Sequence, residues 1–255
     1  MKRITFLFLA SCLLVLSVGA QTKVICHRGF WLTPGSTPNS LVSFSKADSI
    51  GAFGSEFDVW MTDNGKLVVN HDKNFKGVNM ATSRYSDIRD VLLDNGEQLP
   101  TLKEYLKNAK EHPNTHIILE YKSLPSFLRE DEAVEKIVKL VKKYKLLDRT
   151  NFIAFSLNAC FAFRKFSPSA KVYYLGGNIT PMMCKSFGFA GIDYSINTLN
   201  NNPTWVKDSH KLGLEVNVWT VDKKSDMEKY ISLGVDYITT DYPVLLQSLV
   251  EKNTK

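Results

Sequence analysis

Cysteine is scarce in this sequence: there are four in 255 residues, at positions 12, 26, 160 and 184. No spacing among them resembles a zinc clip, and the number argues against a disulfide-built scaffold. A glycine-rich phosphate loop is also missing. The stretch after the first apolar run reads Gly29-Phe-Trp-Leu-Thr-Pro-Gly35, which removes the usual signature of an open dinucleotide-binding sheet. Past residue 20 no apolar run is long enough to span a bilayer. The excess of one sign of charge is small too. Of the net +6, Lys2 and Arg3 fall in a leader-like segment, and Lys136, Lys139, Lys142, Lys143 and Lys145 spread over a helix face. That pattern fits a solvated face and gives no stripe for nucleic acid.

The first twenty residues start basic, continue apolar and end in Val18-Gly19-Ala20, small residues that suit signal-peptidase cleavage before Gln21. The expectation is a signal peptide over 1–20 and an exported protein, periplasmic or secreted. Leu9-Ala10-Ser11-Cys12 resembles a lipoprotein cleavage box, so a lipid anchor through Cys12 is the minority reading. The apolar core running on through Leu13-Leu14-Val15-Leu16 speaks against it. Cleavage leaves three cysteines. Cys26 sits in an apolar strand as a small filler, and a single Cys160–Cys184 disulfide stays open.

What is present is a repeated step. Helical spacing at Leu41, Phe44, Ala47 and Ile50 ends in Gly51, and a strand follows from Phe53. The same helix–Gly–strand step recurs around Gly188, Gly213 and Gly234. Strands are predicted at Val24, Phe53, Ile117, Phe152, Val172, Gly191, Val216 and Tyr237, with an amphipathic helix over Glu132–Tyr144. Eight parallel strands alternating with helices over residues 21–255 fit a closed (β/α)8 barrel, the TIM fold, better than an open sheet. Residues 73–98 are polar and irregular, and read as a small insertion after the second strand with little core of its own.

The chemistry gathers where those strands end. Asn64-Gly65, between two alternating runs, predicts a two-residue type I′ hairpin. That register places Trp60 opposite Val69 and Asp58 opposite His71, with Glu56 on the same face. His27 and Arg28 close the first strand, Glu56 and Asp58 the second, Glu120 and Lys122 the third, Trp219 the seventh and Asp241 the eighth. Three carboxylates at one mouth, Glu56, Asp58 and Glu120, offer hard oxygen ligands for one divalent cation, Ca²⁺ or Mg²⁺. His27 and His71 are candidate acid–base groups. Arg28 and Lys122 supply the positive charge a phosphate needs, or else act as counter-ions to those acids. Trp219 either walls a substrate pocket or belongs to the core. His112, His116 and His210 receive no role.

These pieces resemble the glycerophosphodiester phosphodiesterase family. The resemblance rests on His27-Arg-Gly29, Glu56-Phe-Asp58, Thr62-Asp-Asn-Gly65, Val68-Val-Asn-His71-Asp72, Leu99-Pro-Thr-Leu102, Ile118-Leu-Glu120-Tyr-Lys122, Val218-Trp-Thr-Val-Asp222 and Gly234 to Pro243, in family order. It implies a TIM barrel, His27 and His71 as catalytic residues, Glu56, Asp58 and Glu120 as metal ligands, and Arg28 and Lys122 as phosphate contacts. It implies hydrolysis of a small glycerophosphodiester to sn-glycerol 3-phosphate and an alcohol. One departure stands out: Thr37-Pro-Asn-Ser40 lacks the glutamate of the family's Pro-Glu-Asn-Thr. The competing functions are a phospholipase acting on intact lipid, for which no apolar loop is evident, and an exported protein that binds phosphodiesters without turnover.

Overall fold

The structure, a computed structural model, describes residues 21–253, so the leader and the Cys12 reading lie outside the described residues. Eight strands form one closed parallel sheet: β1 (Lys23–Cys26), β2 (Gly54–Met61), β3 (His116–Tyr121), β4 (Thr150–Ala154), β5 (Lys171–Tyr174), β6 (Gly191–Ser195), β7 (Glu215–Trp219) and β8 (Tyr237–Thr240). Each pairs with the next, and β8 returns to β1. This is the expected TIM barrel.

Period-two alternation divides the apolar residues into two cores. Outward positions such as Phe57, Leu119, Phe152 and Val216 pack beneath the surrounding helices in the larger core. Inward positions, Ile25, Ile118, Ile153, Tyr173, Leu175 and Tyr237, fill the barrel itself. The strands close tightly. A Cβ placed on Gly191 would lie 2.0 Å from the Glu215 carbonyl oxygen, so only glycine fits there.

The same alternation builds the mouth. Gly54 pairs with His116, Glu56 with Ile118 and Asp58 with Glu120. All six share the inward face, and the acids lie in its upper part. Below them, at the amino-end floor, Glu215 accepts hydrogen bonds from Tyr173 and Tyr237, and Lys171 reaches it at 2.9 Å.

Two expectations are corrected, in the hairpin and at the start of one helix. The hairpin pairs Val59 with Val69 and Trp60 with Val68, one residue away from the predicted register. Its loop has three residues, Asp63, Asn64 and Gly65. Thr62 N–H bonds the Lys66 carbonyl at 2.8 Å, and only Gly65 takes a positive φ, +77°. A type I′ turn needs positive φ at both central residues; here Thr62 Oγ1 instead donates to Asn64 Oδ1 at 3.0 Å and accepts from Lys66 N–H at 3.0 Å, holding a bulged loop. Asn70, whose N–H bonds the Asp58 carbonyl at 3.0 Å, therefore faces Asp58 where His71 was expected. His71 still lines the cavity at the barrel mouth, because the chain leaves the return strand Leu67–Val69 before reaching it.

The insertion leans on the barrel's core. A ribbon of Asn74–Phe75 and Val78–Asn79, with a helical turn Tyr85–Ile88, sends Met80, Ile88 and Leu93 into the main core. The helix expected from Glu132 begins at Phe127 and runs to Lys143, since its exposed first turn carries no amphipathic period. Cys26, Cys160 and Cys184 are all free and buried, so the Cys160–Cys184 bridge is absent.

Candidate active site

A cavity of about 150 Å³ opens at the carboxyl ends of the strands, where a barrel of this kind places its chemistry. His27, Arg28, Glu56, His71, Glu120, Lys122 and Trp219 line it. Asp58, the remaining residue singled out from the sequence, lies behind that surface at 1% exposure.

The first wall is set by a backbone kink. Arg28 and Gly29 leave β1 with φ of +54° and +80°. A Cβ on Gly29 would fall 2.3 Å from Ser43 Oγ, so glycine is required for both its angle and the contact. The kink directs the Arg28 amide to Glu56 Oε2 at 2.8 Å. Asn39, also at positive φ, spans Asp58 twice: its Nδ2 donates to Oδ2 at 2.8 Å and its Oδ1 accepts from the Asp58 amide at 3.1 Å.

Ligand oxygens of Glu56, Asp58 and Glu120 lie within 4.8 Å of one another. Lys122 Nζ bridges two of the acids, 2.8 Å from Asp58 Oδ1 and 2.5 Å from Glu120 Oε1. One ammonium against three ionised carboxylates leaves two negative charges, the amount a divalent cation neutralises. The electrostatics match. Burial, then repulsion from Asp58 and Glu120, pushes the Glu56 carboxyl well above its ordinary range. Burial and Asp58 raise Glu120 to about 7 in spite of Lys122. Burial would also raise Asp58, but Lys122, His71 and the hydrogen bonds from Lys122 and Asn39 hold it low. Glu56 Oε1 is buried with no partner. An orphaned carboxylate oxygen beside two further carboxylates fits a hard cation.

Two imidazoles flank this centre, each backed by a carboxylate. His27 Nδ1 lies 2.9 Å from Asp241 Oδ1, and His71 Nδ1 lies 2.7 Å from Asp72 Oδ1. Asp241 is itself positioned. The Trp31 indole donates to it at 3.0 Å, and its amide donates to Asp222 Oδ1 at 2.9 Å. Burial would raise Asp241, yet the His27 hydrogen bond and charge keep it below the ordinary value. Burial, reinforced by Lys122 and Arg28, lowers His71 despite Asp58 and Asp72.

The opposite wall is apolar: Ile153, Phe155, Leu175 and Trp219, with the Phe155 and Trp219 rings edge to face at 5.7 Å. Trp219 Nε1 is held by the Asp193 carbonyl at 3.0 Å. The Asp193 carboxyl, raised to about 7 by burial against the Asn217 bond, also lines the cavity.

Sequence reasoning assigned no role to Asn39, Asp193, Phe155 or Asp241. Asp241 was marked only as a strand end, and its partner lies 214 residues away. For Asn39 the signal was available in Thr37-Pro-Asn-Ser40. The helix after that segment is capped from the insertion: Glu97 accepts from the Leu41 amide at 2.9 Å and the Val42 amide at 3.4 Å.

A parallel barrel with buried acids and paired imidazoles at its carboxyl-end mouth is the arrangement of an enzyme site. The sequence matches the model of the glycerophosphoryl diester phosphodiesterase family over residues 27–245. A glycerophosphodiester phosphodiesterase from Caldanaerobacter subterraneus subsp. tengcongensis is 30% identical over 251 residues, spanning 91% of this chain and 99% of the relative. The crystal structure of a glycerophosphodiester phosphodiesterase from Parabacteroides distasonis superposes with a TM-score of 0.91 at 44% identity, covering 93% of this chain and all of the other. An Oleispira antarctica phosphodiesterase, solved with its product sn-glycerol 3-phosphate, shares the fold at a TM-score of 0.78 and 22% identity, over 91% of this chain and 97% of that one. The chain belongs to the glycerophosphoryl diester phosphodiesterase family, and is thereby a phosphoric diester hydrolase.

Proposed function

We propose that this protein hydrolyses glycerophosphodiesters to sn-glycerol 3-phosphate and an alcohol, with one divalent cation held by Glu56, Asp58 and Glu120. The observation that carries the reading is the triad itself: three buried carboxylates within 4.8 Å, one oxygen unpartnered, in a cavity shared by two imidazoles. When bound, Ca²⁺ or Mg²⁺ would neutralise the triad and polarise phosphoryl oxygens.

The protein's own groups do the rest. Arg28 and Lys122 present positive charge to the phosphate. Asp241 fixes the proton of His27 on Nδ1 or stabilises the ring as a cation, which suits a general acid that protonates the departing alkoxide. Burial and the nearby Lys122 keep His71 neutral at pH 7, which suits the base that deprotonates the attacking oxygen. Each transfer is worth about 10²–10⁴-fold.

The roles separate by leaving group. His27→Ala should lose about 10²–10⁴-fold on glycerophosphocholine and recover most of that on a p-nitrophenyl diester, whose leaving group needs no proton. His71→Ala should lose activity on both. Equal recovery in both variants would refute the assignment. EDTA should abolish turnover, and Ca²⁺ or Mg²⁺ should restore it.

A second reading gains an observation the sequence did not offer. Phe127 and Leu128, after the β3 loop on the mouth side, are 71% and 84% exposed, so an apolar element for lipid is present. Turnover of phospholipid vesicles at the rate of soluble glycerophosphocholine would favour it. Export belongs to the same proposal: the mature chain should begin at Gln21, as N-terminal sequencing of secreted material will show, and a lipid on Cys12 would contradict this. Among the described residues no helix is long and apolar enough to cross a membrane.

A further inference from the structure

Two more cavities flank the catalytic one, and they differ in charge. The first, of about 550 Å³, sets Lys73 and Arg129 against Asp63 and shares no lining residue with the catalytic cavity. The second, of about 460 Å³, begins at Trp219 and Thr220, which line the catalytic cavity too, and sets Asp222 and Asp226 against Lys223. The acidic cavity is therefore the continuation of the active site on its aromatic side.

Its two carboxylates are not equivalent. Asp222 is already engaged, accepting from Thr240 Oγ1 at 3.1 Å and from the Asp241 amide at 2.9 Å. The Asp226 carboxylate has no hydrogen-bond or ion-pair partner among the described residues, and the residue is half-buried. Between it and the metal triad stands Trp219, whose indole is locked by the Asp193 carbonyl and edged by Phe155. A ring face followed by an unpaired carboxylate is a pairing that recognises an organic cation.

We propose that this cavity is the subsite for the alcohol half of the diester, and that it selects alcohols carrying an ammonium group. The inference rests on the hydrolase reading above and adds the direction in which the substrate lies. The phosphate lies over the triad and Lys122 in the shared cavity, and the alcohol crosses Trp219 with its positive end toward Asp226. The opposing explanation is local: Asp226 stands in the first turn of the helix Lys224–Ser232, where a negative charge complements the exposed amides. That role would affect stability and leave substrate choice alone.

The test is the ratio of kcat/KM for glycerophosphocholine and glycerophosphoethanolamine to that for the uncharged glycerophosphoglycerol, with the cation saturating. The wild type should favour the ammonium substrates about 5- to 30-fold, the range of one desolvated cation–aromatic contact with an opposing charge. Asp226→Asn should narrow the ratio to about 2–3-fold, and Asp226→Lys should invert it. Because the readout is a ratio within one variant, a loss of folded protein cancels. A wild-type ratio near one, or a ratio unmoved by both substitutions, overturns the subsite and leaves the hydrolase reading standing. Turnover of none of the three substrates overturns both. Preference for choline over ethanolamine would locate the selection at the Trp219 face, and the reverse would locate it at Asp226.

Discussion

Asp241 touches no triad acid, yet the role proposed for His27 depends on it. It holds His27 Nδ1 at 2.9 Å and is itself held by Trp31 and by its own amide on Asp222. Asp241→Asn would keep the shape but present an amide where the imidazole needs an acceptor that stabilises positive charge. The expected loss is about 10²–10⁴-fold in kcat on glycerophosphocholine, with KM little changed and much of the loss recovered on a p-nitrophenyl diester. A drop that persists equally on the activated diester would show that Asp241 acts on folding and not on proton delivery. At this scale the sequence was half legible. Glu56, Asp58 and Glu120 announce themselves because charged residues interrupt strands at inward positions, and the strand period alone puts them on one face. Asp241 and Asn39 do not, since their meaning lies in partners distant in sequence and in backbone angles that only tertiary packing selects.

Among the elements, the insertion reaches toward the site through Glu97. Glu97 caps the amides of Leu41 and Val42, at the start of the helix Leu41–Ser49, and that helix follows Asn39, the residue that clamps Asp58. A carboxylate at a helix start satisfies donors that would otherwise be orphaned and opposes the positive end of the helix. Glu97→Gln should therefore cost about 1 kcal/mol of stability, read by denaturant unfolding, and weaken the cation requirement's half-saturation by a few fold. Unchanged cation dependence alongside the stability loss would confine Glu97 to capping. Element boundaries were legible where the apolar period was clean and failed where it was not. The helix from Phe127 was cut short because its exposed Phe127 and Leu128 break the amphipathic pattern. The hairpin slipped one residue because Asn64-Gly65 satisfies two loop geometries, and Thr62 Oγ1 decides between them.

The whole molecule divides its polar interior between two ends of one barrel, which explains why the fold was legible before the site. Eight strand–helix steps need only local periods and glycine stops, but the end at which each inward polar group lies decides whether it acts or supports. At the mouth three acids face the single ammonium of Lys122, which pairs with two of them. A thermal scan should show Ca²⁺ or Mg²⁺ raising Tm by several degrees, and Glu56→Gln should abolish the rise. At the floor the polar groups are balanced. Glu215 takes hydrogen bonds from Tyr173, Lys171 and Tyr237, and Lys23 stands 4.7 Å over the Phe53 ring beside it. Burial alone would raise the Glu215 carboxyl, but the bonds from Tyr173 and Lys171, with the charge of Lys171 and a bond from Tyr237, bring it below the ordinary glutamate value. A carboxyl that ionises more readily folded than unfolded contributes stability in full above its unfolded pKa, and that contribution fades as the pH falls through the folded value. The Tm of Glu215→Gln should therefore lie furthest below wild type at pH 7, and the gap should close as the pH falls below the ordinary glutamate range. A gap independent of pH would mean that Glu215 supports the floor by packing and hydrogen-bond geometry and not by its charge.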